Sequence, residues 1–453
     1  MSQIPALARR LPPGFLFGTA TAAYQIEGGH DADGKGPSIW DTFCLRPGAI
    51  STGETGDIAC DHYHRWREDV ALMHELGLGA YRLSISWPRV IPSGTGARNE
   101  MGIGFYDRLI DELLANGIRP FVTLYHWDLP QALQDEGGWG SRAVVDQFAA
   151  YADLVARRLG DRVKDWMTLN EPEVVAFAGH HVGVHAPGIR DFGKAVLVSH
   201  HLLLAHRAAA DAIRAARPTA RVGIALNLSP CEPATDSAED AAAATRADGY
   251  LNRWFLDPLH GRGYPKDMVA LYAPYFDRAR ELDGYHGRLD FLGVNYYTRR
   301  LAKAGDGPLQ LDRVEREGAE RTALGWEVHP SSFHKILTRV QRDYAPREMF
   351  VTENGAAYDD VLDDDRVDDP ARVSFLTRHF AAAADAVRDG VPLRGYFIWT
   401  LMDNFEWAHG TSKRFGIVHT EYRTQRRRIK SSGRWYRDLI AAHHVARAEA
   451  AAK

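Results

Sequence analysis

Two glutamates stand at the ends of two strand-like segments that lie far apart in the chain. Glu171 belongs to TLNEP at 168–172, and Glu353 belongs to VTENG at 351–355. Each follows a short apolar run typical of a buried strand, and the Pro or Gly that comes next stops a strand. Glycosidic bond cleavage requires such a pair of carboxyl groups, because one protonates the leaving oxygen and the other acts at the anomeric carbon.

The elements that must position these carboxyls alternate between strand and helix along the chain. The apolar runs predict eight strands, at 15–20, 80–84, 119–124, 165–169, 222–226, 291–294, 349–352 and 394–399. Amphipathic runs predict helices between them, at 66–76, 104–116, 144–159, 193–216, 333–344 and 372–389. Parallel pairing follows, since each parallel connection needs a crossover. Eight such units predict an α/β fold, a closed (β/α)8 TIM barrel.

We expect the 453 residues to form a single domain. The barrel would occupy about 12–440, with a short N-terminal extension and an Ala-rich C-terminal tail that forms a fraying helix. A doubly wound open sheet is the alternative, but no GxGxxG motif follows a strand and opens a helix. Five long loops are expected, mostly at the C-terminal face where barrel active sites are built. They are 27–63, 173–192, 229–264, 299–329 and 400–436.

Charge and cysteine content exclude several classes of partner. The 55 basic and 59 acidic residues give a net charge of −4, so neither nucleic acid nor an anionic membrane is expected to bind. No run of 18 apolar residues predicts a membrane span, and the first ten residues lack the apolar core of a secretory signal. Cys44, Cys60 and Cys231 form no CxxC, and we expect reduced thiols in a cytoplasmic protein. No pattern predicts an oligomeric state.

Neighbouring histidines at 62 and 64, 180 and 181, and 200 and 201 could suggest a metal site. No carboxylate or cysteine completes a spacing such as HExxH around them. We therefore predict no metal and no other cofactor.

Seven motifs, in this order, resemble glycoside hydrolase family 1, the β-glucosidases, and the resemblance covers residue 15 to about 436. They are FLFGTATAAYQIE (15–27), YRLSISWPR (81–89), LYHWDLP (124–130), TLNEP (168–172), NYYT (295–298), VTENG (351–355) and NFEWA (404–408). The resemblance implies a barrel and no cofactor. It also implies hydrolysis with retention, by double displacement through a covalent glycosyl-enzyme.

The resemblance implies roles for five residues of the reaction centre. Glu171 would be the general acid/base and Glu353 the nucleophile, with carboxyls about 5 to 5.5 Å apart across one cavity. The anion of Glu353 should raise the pKa of Glu171, which should fall once the glycosyl-enzyme removes that anion. Arg82 and Tyr297 are suited to hold Glu353 ionised. Asn295 lies two residues before Tyr297 and completes the set.

Sugar recognition needs short polar groups for hydroxyls and aromatic faces for the ring. The implied contacts to the glycone are Gln25, His126, Asn170 and Glu406, with Trp399 and Trp407 as platforms. Trp127 would wall the site. Trp326, His180 and His185 would contact the aglycone, and Phe415 lies in the segment that shapes the pocket. Asn170 would bond the 2-hydroxyl, although regular pleating places it on the face opposite Glu171, so the strand end must turn.

One segment departs from the family pattern and bears on the substrate. Thr411 stands where many members carry Tyr, which leaves the preference for the leaving group open. Relatives that act on 6-phosphorylated sugars carry a smaller residue at Trp407 and a Ser/Lys/Tyr phosphate set. Here Trp407 is retained and Phe415 replaces that Tyr, which favours a neutral glycone.

The expected small-molecule substrates are cello-oligosaccharides and aryl or alkyl β-glucosides, which would lose their terminal non-reducing β-D-glucosyl residues. Side activity on β-galactosides and β-fucosides is expected from the resemblance. A 6-phospho-β-glycosidase, a transglycosylating β-glycosidase and a catalytically silent sugar-binding barrel are the alternatives.

Overall fold

Eight parallel strands close into a barrel in the computed structural model, which describes residues 3–285 and 288–451. Each strand pairs with the next in the chain, and the last pairs with the first to close the ring. The strands are β1 (Leu16–Ala20), β2 (Ala80–Ser84), β3 (Arg119–Tyr125), β4 (Asp165–Asn170), β5 (Arg221–Asn227), β6 (Phe291–Asn295), β7 (Met349–Asn354) and β8 (Leu393–Trp399). The predicted (β/α)8 barrel is confirmed.

The barrel strands agree with the predicted runs to within two residues at each end. They are buried almost throughout, as expected for parallel strands covered by helices. The structure extends β4 to Asn170 and β7 to Asn354, so Glu353 belongs to a strand and Glu171 comes directly after one.

Long helices pack around the barrel and confirm the six predicted amphipathic runs. They are His62–Glu75, Glu100–Ala115, Ala143–Leu159, Phe192–Ala216, Pro330–Tyr344, Pro370–Arg388 and, at the C-terminal end, Ser431–Ala451. Gly117 and Gly390 follow two of them with φ of 72° and 94°, a left-handed conformation that ends a helix and suits glycine. No helix of the described residues has both the length and the apolar character needed to cross a membrane.

The segments at the mouth contain more regular structure than the sequence predicts. The predicted loop 229–264 holds the helices Ala238–Asp248 and Trp254–Leu259, and 173–192 holds the π-helical turn Val174–Val182. Ser237 caps the first of these helices by accepting from the Asp240 backbone N–H. The prediction of loops here was wrong, because their short apolar faces pack locally and lack a long helical period.

A small sheet also joins two of these mouth segments. The strand Cys231–Pro233 pairs in parallel with Arg300–Ala304, which pairs antiparallel with Leu311–Val314. The final helix begins at Ser431, inside the last predicted loop.

Four phenylalanines pack together inside the barrel below the catalytic end. The ring of Phe121 lies 4.9 Å from that of Phe397 and 5.3 Å from that of Phe350, and Phe291 lies 5.4 Å from Phe350. Most of these pairs meet edge to face, the favoured geometry for aromatic rings. Phe121, Phe291 and Phe350 stand upstream of polar residues near the ends of their strands, and Phe397 stands upstream of Trp399, so this cluster forms the apolar floor beneath them.

The three cysteines are free thiols. Cys44 and Cys60 are buried and Cys231 is partly buried. Cys60 donates to the backbone oxygen of Asp403 at 3.2 Å.

Candidate active site

One cavity of about 160 Å³ opens at the C-terminal end of the barrel and is lined by both Glu171 and Glu353. The convergence of the two side chains on one cavity, expected from the sequence, is therefore observed. The other lining residues are His126, Trp127, Val174, His185, Asn227, Tyr297, Leu324, Trp326, Trp399, Glu406, Trp407, His409 and Phe415. No lysine or arginine lies among the described residues that line it.

Glu353 is held by a cation and a phenol. Arg82 donates from Nη1 to Oε1 at 2.5 Å, and Tyr297 donates from its hydroxyl to Oε2 at 2.6 Å. Both Arg82 and Glu353 are nearly inaccessible, with 1% and 3% of their surface exposed. A buried carboxylate with two charge-assisted hydrogen bonds favours its ionised form.

Arg82 is fixed by three further strand ends. Its Nη2 donates to Asn170 Oδ1 at 2.6 Å, its Nε donates to Thr123 Oγ1 at 3.1 Å, and Nη1 also reaches the Thr352 carbonyl at 3.2 Å. These acceptors come from β4, β3 and β7, and they are two buried side chains and one backbone carbonyl, so barrel strands orient the guanidinium.

Glu171 has a different environment. Asn295 donates from Nδ2 to Glu171 Oε1 at 2.7 Å and to Asn170 Oδ1 at 3.1 Å. The backbone of Glu171 is left-handed, with φ of 47°. The strand end turns here, as the sequence analysis requires, and Glu171 lines the cavity. Asn170 is fully buried and meets the same reaction centre through Arg82 and Asn295, which both donate to its Oδ1.

Burial is the main cause of the pKa shifts of both carboxyls. It raises the pKa of Glu171 well above its ordinary value, and the charge of Glu353 raises it further. The sequence analysis named only the second cause, which is the smaller one. Burial also raises the pKa of Glu353, but Arg82 and the Tyr297 hydroxyl oppose that increase. Glu353 therefore ionises before Glu171 does.

Polar atoms at the cavity lack partners among the described residues. Asn170 Nδ2 donates to His126 Nε2 at 3.0 Å, which leaves the ring Nδ1 of His126 free to donate. Burial and the charge of Arg82 lower the pKa of His126 well below its ordinary value, so the ring is neutral. Glu406 Oε2 also has no partner in the described chain. Burial, reinforced by Glu353, raises the pKa of Glu406 to about 8.

The side chain of Gln25 is fixed through its amide nitrogen. Nε2 donates to Asn404 Oδ1 at 3.2 Å and to the Phe405 carbonyl at 2.8 Å, while Oε1 has no partner among the described residues. The unpartnered oxygens of Gln25 and Glu406 and the free nitrogen of His126 form a set of hydrogen-bonding groups suited to sugar hydroxyls.

Aromatic rings make up much of the remaining wall. Trp127 and Trp407 lie 4.5 Å apart, and His126 stacks on Trp399 at 5.6 Å. Trp127 also donates from its indole N–H to the Asn170 carbonyl. A second group joins Tyr297 to Trp326 at 5.2 Å and Trp326 to Phe415 at 6.1 Å.

An ion network lies behind the segment that carries Glu406. Lys430 Nζ donates to Asp403 Oδ1 at 2.6 Å and to Asp360 Oδ2 at 2.5 Å, and Arg372 binds Asp360 at 2.9 Å. Lys430 and Asp403 have no exposed surface. Asp403 precedes Glu406 by three residues, so the network ties the glutamate's segment to the chain just before the final helix. Sequence reasoning did not identify it, because nothing local pairs residues so far apart.

A sequence profile described as glycosyl hydrolase family 1 matches residues 7–445. The chain belongs to glycosyl hydrolase family 1. Its sequence is 47% identical to beta-glucosidase A of Thermotoga maritima over 437 residues, which covers 95% of this chain and 98% of that protein. It is 48% identical to thermostable beta-glucosidase B of Thermobispora bispora, covering 95% and 90% of the two chains. The structure of a Thermotoga maritima beta-glucosidase in complex with deoxynojirimycin superposes with a TM-score of 0.94, at 47% identity, covering 96% of this chain and 99% of that one.

His180, which the family resemblance assigns to the aglycone, is buried and is not among the residues that line the cavity. Its Nδ1 donates to the Val175 carbonyl at 2.8 Å. His185 lines the cavity instead. The segment 408–415 contributes His409 and Phe415 to the cavity lining, whereas Thr411 is not among the lining residues and its backbone N–H donates to Glu54 at 2.7 Å.

Several lining residues were missed by the sequence analysis. Asn227 ends β5 at the same face as the other strand-end residues, so its position after a predicted strand could have identified it. Val174, Leu324 and His409 carry no such signal, because they come from segments whose path the sequence does not predict.

Histidines from the neighbouring pairs at 62 and 64 and at 200 and 201 have protein groups as hydrogen-bond partners. His62 pairs with Asp69 at 2.7 Å, and His201 Nδ1 contacts the Trp139 carbonyl at 2.8 Å. Across residues 3–285 and 288–451, no group of three His, Cys, Asp or Glu side chains is arranged to hold a metal ion.

Proposed function

We propose that this family 1 glycoside hydrolase is a retaining β-glucosidase. It removes terminal non-reducing β-D-glucosyl residues from cello-oligosaccharides and from aryl and alkyl β-glucosides. The observation that carries the proposal is the contrast between two buried glutamates of one cavity. Glu353 has a cation and a phenol as partners, whereas Glu171 is bonded by a neutral amide.

In the first step, Glu353 attacks the anomeric carbon while Glu171 gives its proton to the leaving oxygen. Retention requires the two carboxyls to lie about 5 to 5.5 Å apart. The position of Asn295 supports this spacing, since its amide donates to Glu171 at 2.7 Å and also lies close enough to Glu353 to favour its charge.

In the second step, water attacks the glycosyl-enzyme. Esterification removes the charge of Glu353, so the pKa of Glu171 falls and its carboxylate accepts the proton of the water. The contribution of burial to that pKa remains. We therefore expect kcat/KM, which reports on the free enzyme, to have a bell-shaped dependence on pH. Its two apparent pKa values belong to the coupled pair of Glu171 and Glu353.

The remaining contacts suggest roles in binding. Arg82 and Tyr297 keep Glu353 ionised and aimed, and Asn170 would bond the 2-hydroxyl of the sugar, as the family resemblance implies. The free atoms of Gln25, His126 and Glu406 face other hydroxyls. Trp399 and Trp407 provide the apolar faces for the ring, with Trp127 as a wall, and Trp326 and Phe415 are placed to contact the aglycone.

A 6-phospho-β-glycosidase is disfavoured by charge. Three glutamates line the cavity, and none of its described lining residues is a lysine or arginine. Lys413 instead donates to the Ala323 carbonyl at 2.9 Å. A phosphate dianion would meet uncompensated negative charge here. Comparing turnover of a nitrophenyl β-glucoside with that of its 6-phosphate tests this, and faster turnover of the phosphate would reverse the assignment.

Chemical rescue tests the central role of Glu353. Glu353→Ala should lose hydrolysis of nitrophenyl β-glucoside by at least about 10⁴-fold, because the covalent intermediate cannot form. Added azide should restore release of nitrophenol and yield the α-glucosyl azide, the inverted product. Glu317→Ala is the matched control, since Glu317 is exposed. A folded Glu353→Ala variant that azide does not rescue would contradict the role.

We also infer that residues 12–440 form one domain of a cytoplasmic protein. One apolar cluster includes residues from Leu7 to Ile440, which supports a shared core. Three free thiols fit a reducing compartment.

A further inference from the structure

A buried threonine hydroxyl contacts the amide that holds Glu171. Thr352 lies on β7 directly before the nucleophile, has no exposed surface and is not among the residues that line the cavity. Its hydroxyl donates to Asn295 Oδ1 at 2.6 Å and makes no other hydrogen bond to the described residues. The nitrogen of the same amide donates to Glu171 Oε1 at 2.7 Å. One amide therefore connects this hydroxyl to the acid/base.

The strand β7 is irregular at this residue. Val351 pairs with Val294 of β6, whereas Glu353 pairs with Asn295, so β7 carries one extra residue between these two pairs, and that residue is Thr352. In a regular strand, successive side chains point to opposite faces. A bulge re-aims side chains. Here the hydroxyl of Thr352 and the carboxyl of the next residue both contact groups of one reaction centre.

The directions of the hydrogen bonds in this group follow from Arg82. A guanidinium offers five N–H donors and no acceptor. Its Nη2 lies 2.6 Å from the side-chain amide of Asn170, so that amide must present its oxygen to the arginine. The amide nitrogen of Asn170 then faces His126 Nε2, at 3.0 Å. The arginine thus fixes which end of Asn170 is the acceptor.

The orientation of Asn170 in turn fixes that of Asn295. Asn170 Oδ1 lies 3.1 Å from the Asn295 amide, which must turn its nitrogen toward that oxygen, because two carbonyl oxygens would repel each other. The second N–H of Asn295 then reaches Glu171, and its oxygen is left facing Thr352. All three polar positions of the Asn295 amide are bonded in this orientation. In the flipped one, Glu171 would face an oxygen instead of a donor.

Thr352 supplies the bond that this orientation needs at the amide oxygen. Asn295 has no exposed surface, so bulk solvent cannot replace the hydroxyl. A buried carbonyl oxygen that loses its donor costs free energy. Without the hydroxyl, the observed orientation of Asn295 is less favourable, and the N–H that Glu171 accepts is held less firmly.

We propose that Thr352 is a positioning residue that fixes the amide of Asn295, so that an N–H group stays directed at Glu171. The inference rests on the proposed β-glucosidase reaction, in which Glu171 serves first as the acid and then as the base. Both steps need the carboxyl at a defined position, because proton transfer depends on the geometry of the reacting atoms. Thr352 acts on both steps through Asn295.

A double-mutant cycle tests this connection. Thr352→Val keeps the shape of the side chain and removes the hydroxyl, and it should lower kcat/KM for a nitrophenyl β-glucoside by about five- to fiftyfold. Thr352→Ser keeps the hydroxyl and should stay within about threefold of the parent enzyme. In an Asn295→Ala background, Thr352→Val should lower kcat/KM by less than about twofold, because the residue through which the hydroxyl acts is gone.

Thr168→Val is the matched control for the loss of a buried hydroxyl from a barrel strand. Thr168 lies on β4, has no exposed surface and contacts His206 at 2.7 Å. Its substitution should leave kcat/KM within about twofold of the parent value in both backgrounds. Thermal unfolding checks that each variant is folded. If Thr352→Val does not fold, Thr352→Ala takes its place in the cycle.

Three results would overturn the inference and leave the β-glucosidase assignment intact. They are a Thr352→Val enzyme with the kcat/KM of the parent, a loss of the same size in the parent and Asn295→Ala backgrounds, and a Thr352→Ser enzyme no more active than Thr352→Val. Equal losses in the two backgrounds are the effect of a purely structural residue. A parent enzyme with no β-glucosidase activity would overturn both proposals.

Discussion

The two ends of the barrel use buried residues in opposite ways. The upstream end is filled by Phe121, Phe291, Phe350 and Phe397, whose rings contact one another and carry no polar atoms. The downstream end buries the ionisable side chains of Arg82, Glu353, Glu171 and Glu406 in one region. Apolar packing stabilises the fold, whereas buried charge costs free energy unless it is paired.

Residues that line the cavity also have backbone conformations that the barrel strands lack. At the downstream end Trp127, Glu171 and Trp407 have φ of 81°, 47° and 46°, values that side chains other than glycine's rarely adopt. Such residues cost on the order of 1 kcal/mol or more each. The eight barrel strands contain no positive φ among their non-glycine residues. The comparison teaches that the cavity lining combines strained backbone with buried ionisable groups, and that apolar packing in the floor offsets their cost.

The largest effect we expect is at Glu171. Glu171→Ala should lower kcat/KM for an alkyl β-glucoside by about 10² to 10⁴-fold, because the leaving alkoxide needs the proton. An activated dinitrophenyl β-glucoside should be cleaved with far less loss, and the midpoint of thermal unfolding should not fall. Equal losses for the two substrates would contradict the role of Glu171 as the acid. They would also weaken the contrast between a catalytic downstream end and a stabilising upstream end.

Phe350→Ala should produce the reverse pattern. A cavity at the floor should reduce the free energy of unfolding by about 3 to 5 kcal/mol, while kcat at 25 °C changes little. Denaturant unfolding and initial rates measure the two quantities. Phe350→Leu is the matched control and should cost less. A variant that kept its stability but lost activity would show that the floor is not a separate stabilising region.

Glu406 links stability to pH. Its pKa is about 8 in the folded protein, against an ordinary value of 4.5, so the folded protein holds a proton that the unfolded chain releases between these pH values. Its contribution to stability is complete below pH 4.5 and is lost as pH rises to 8.

Glu406→Gln removes that pH dependence. Relative to the parent enzyme, the variant should gain about 3 kcal/mol more stability at pH 8 than at pH 5, while losing affinity for the glycone. Urea unfolding at the two pH values measures the difference, with exposed Glu317→Gln as control. Equal gains in stability at both pH values would contradict the raised pKa of Glu406.

The smallest effect is expected at the rim. Thr411→Ala removes hydroxyl contacts of 2.8 Å to the exposed Glu54. Because exposed polar contacts contribute little, stability should change by less than about 0.5 kcal/mol, and kcat/KM should stay close to the parent value. A tenfold change in kcat/KM for any aryl β-glucoside would place Thr411 in the binding region after all.

The strands and the reaction centre were accessible from sequence because their signals are local. Apolar runs that end near Gly, Pro or Asn marked β2, β4 and β7. A carboxyl at the C-terminal end of such a run must lie at the C-terminal face of the barrel. This reasoning located Glu171 and Glu353 from the order of residues alone.

Other features depend on contacts that no local pattern encodes. The left-handed turn at Glu171 leads into the π-helical segment Val174–Val182, in which His180 is buried, and neither feature has a local sequence signal. The dominance of burial in the pKa of Glu171 needs the depth of the site, which the sequence does not contain. Likewise, the pairing of Lys430 with Asp403 and Asp360 joins segments brought together only by the closed barrel.

The burial of Lys430 has a consequence for how the chain is made. Its partners Asp360 and Asp403 leave the ribosome well before the lysine does, and without it two aspartates would occupy an apolar interior with too little positive charge. All eight strands are synthesised by residue 399, yet the segment that carries Glu406 gains this anchor only when residue 430 emerges. The support behind this wall of the sugar pocket is thus completed only after all eight strands have been made.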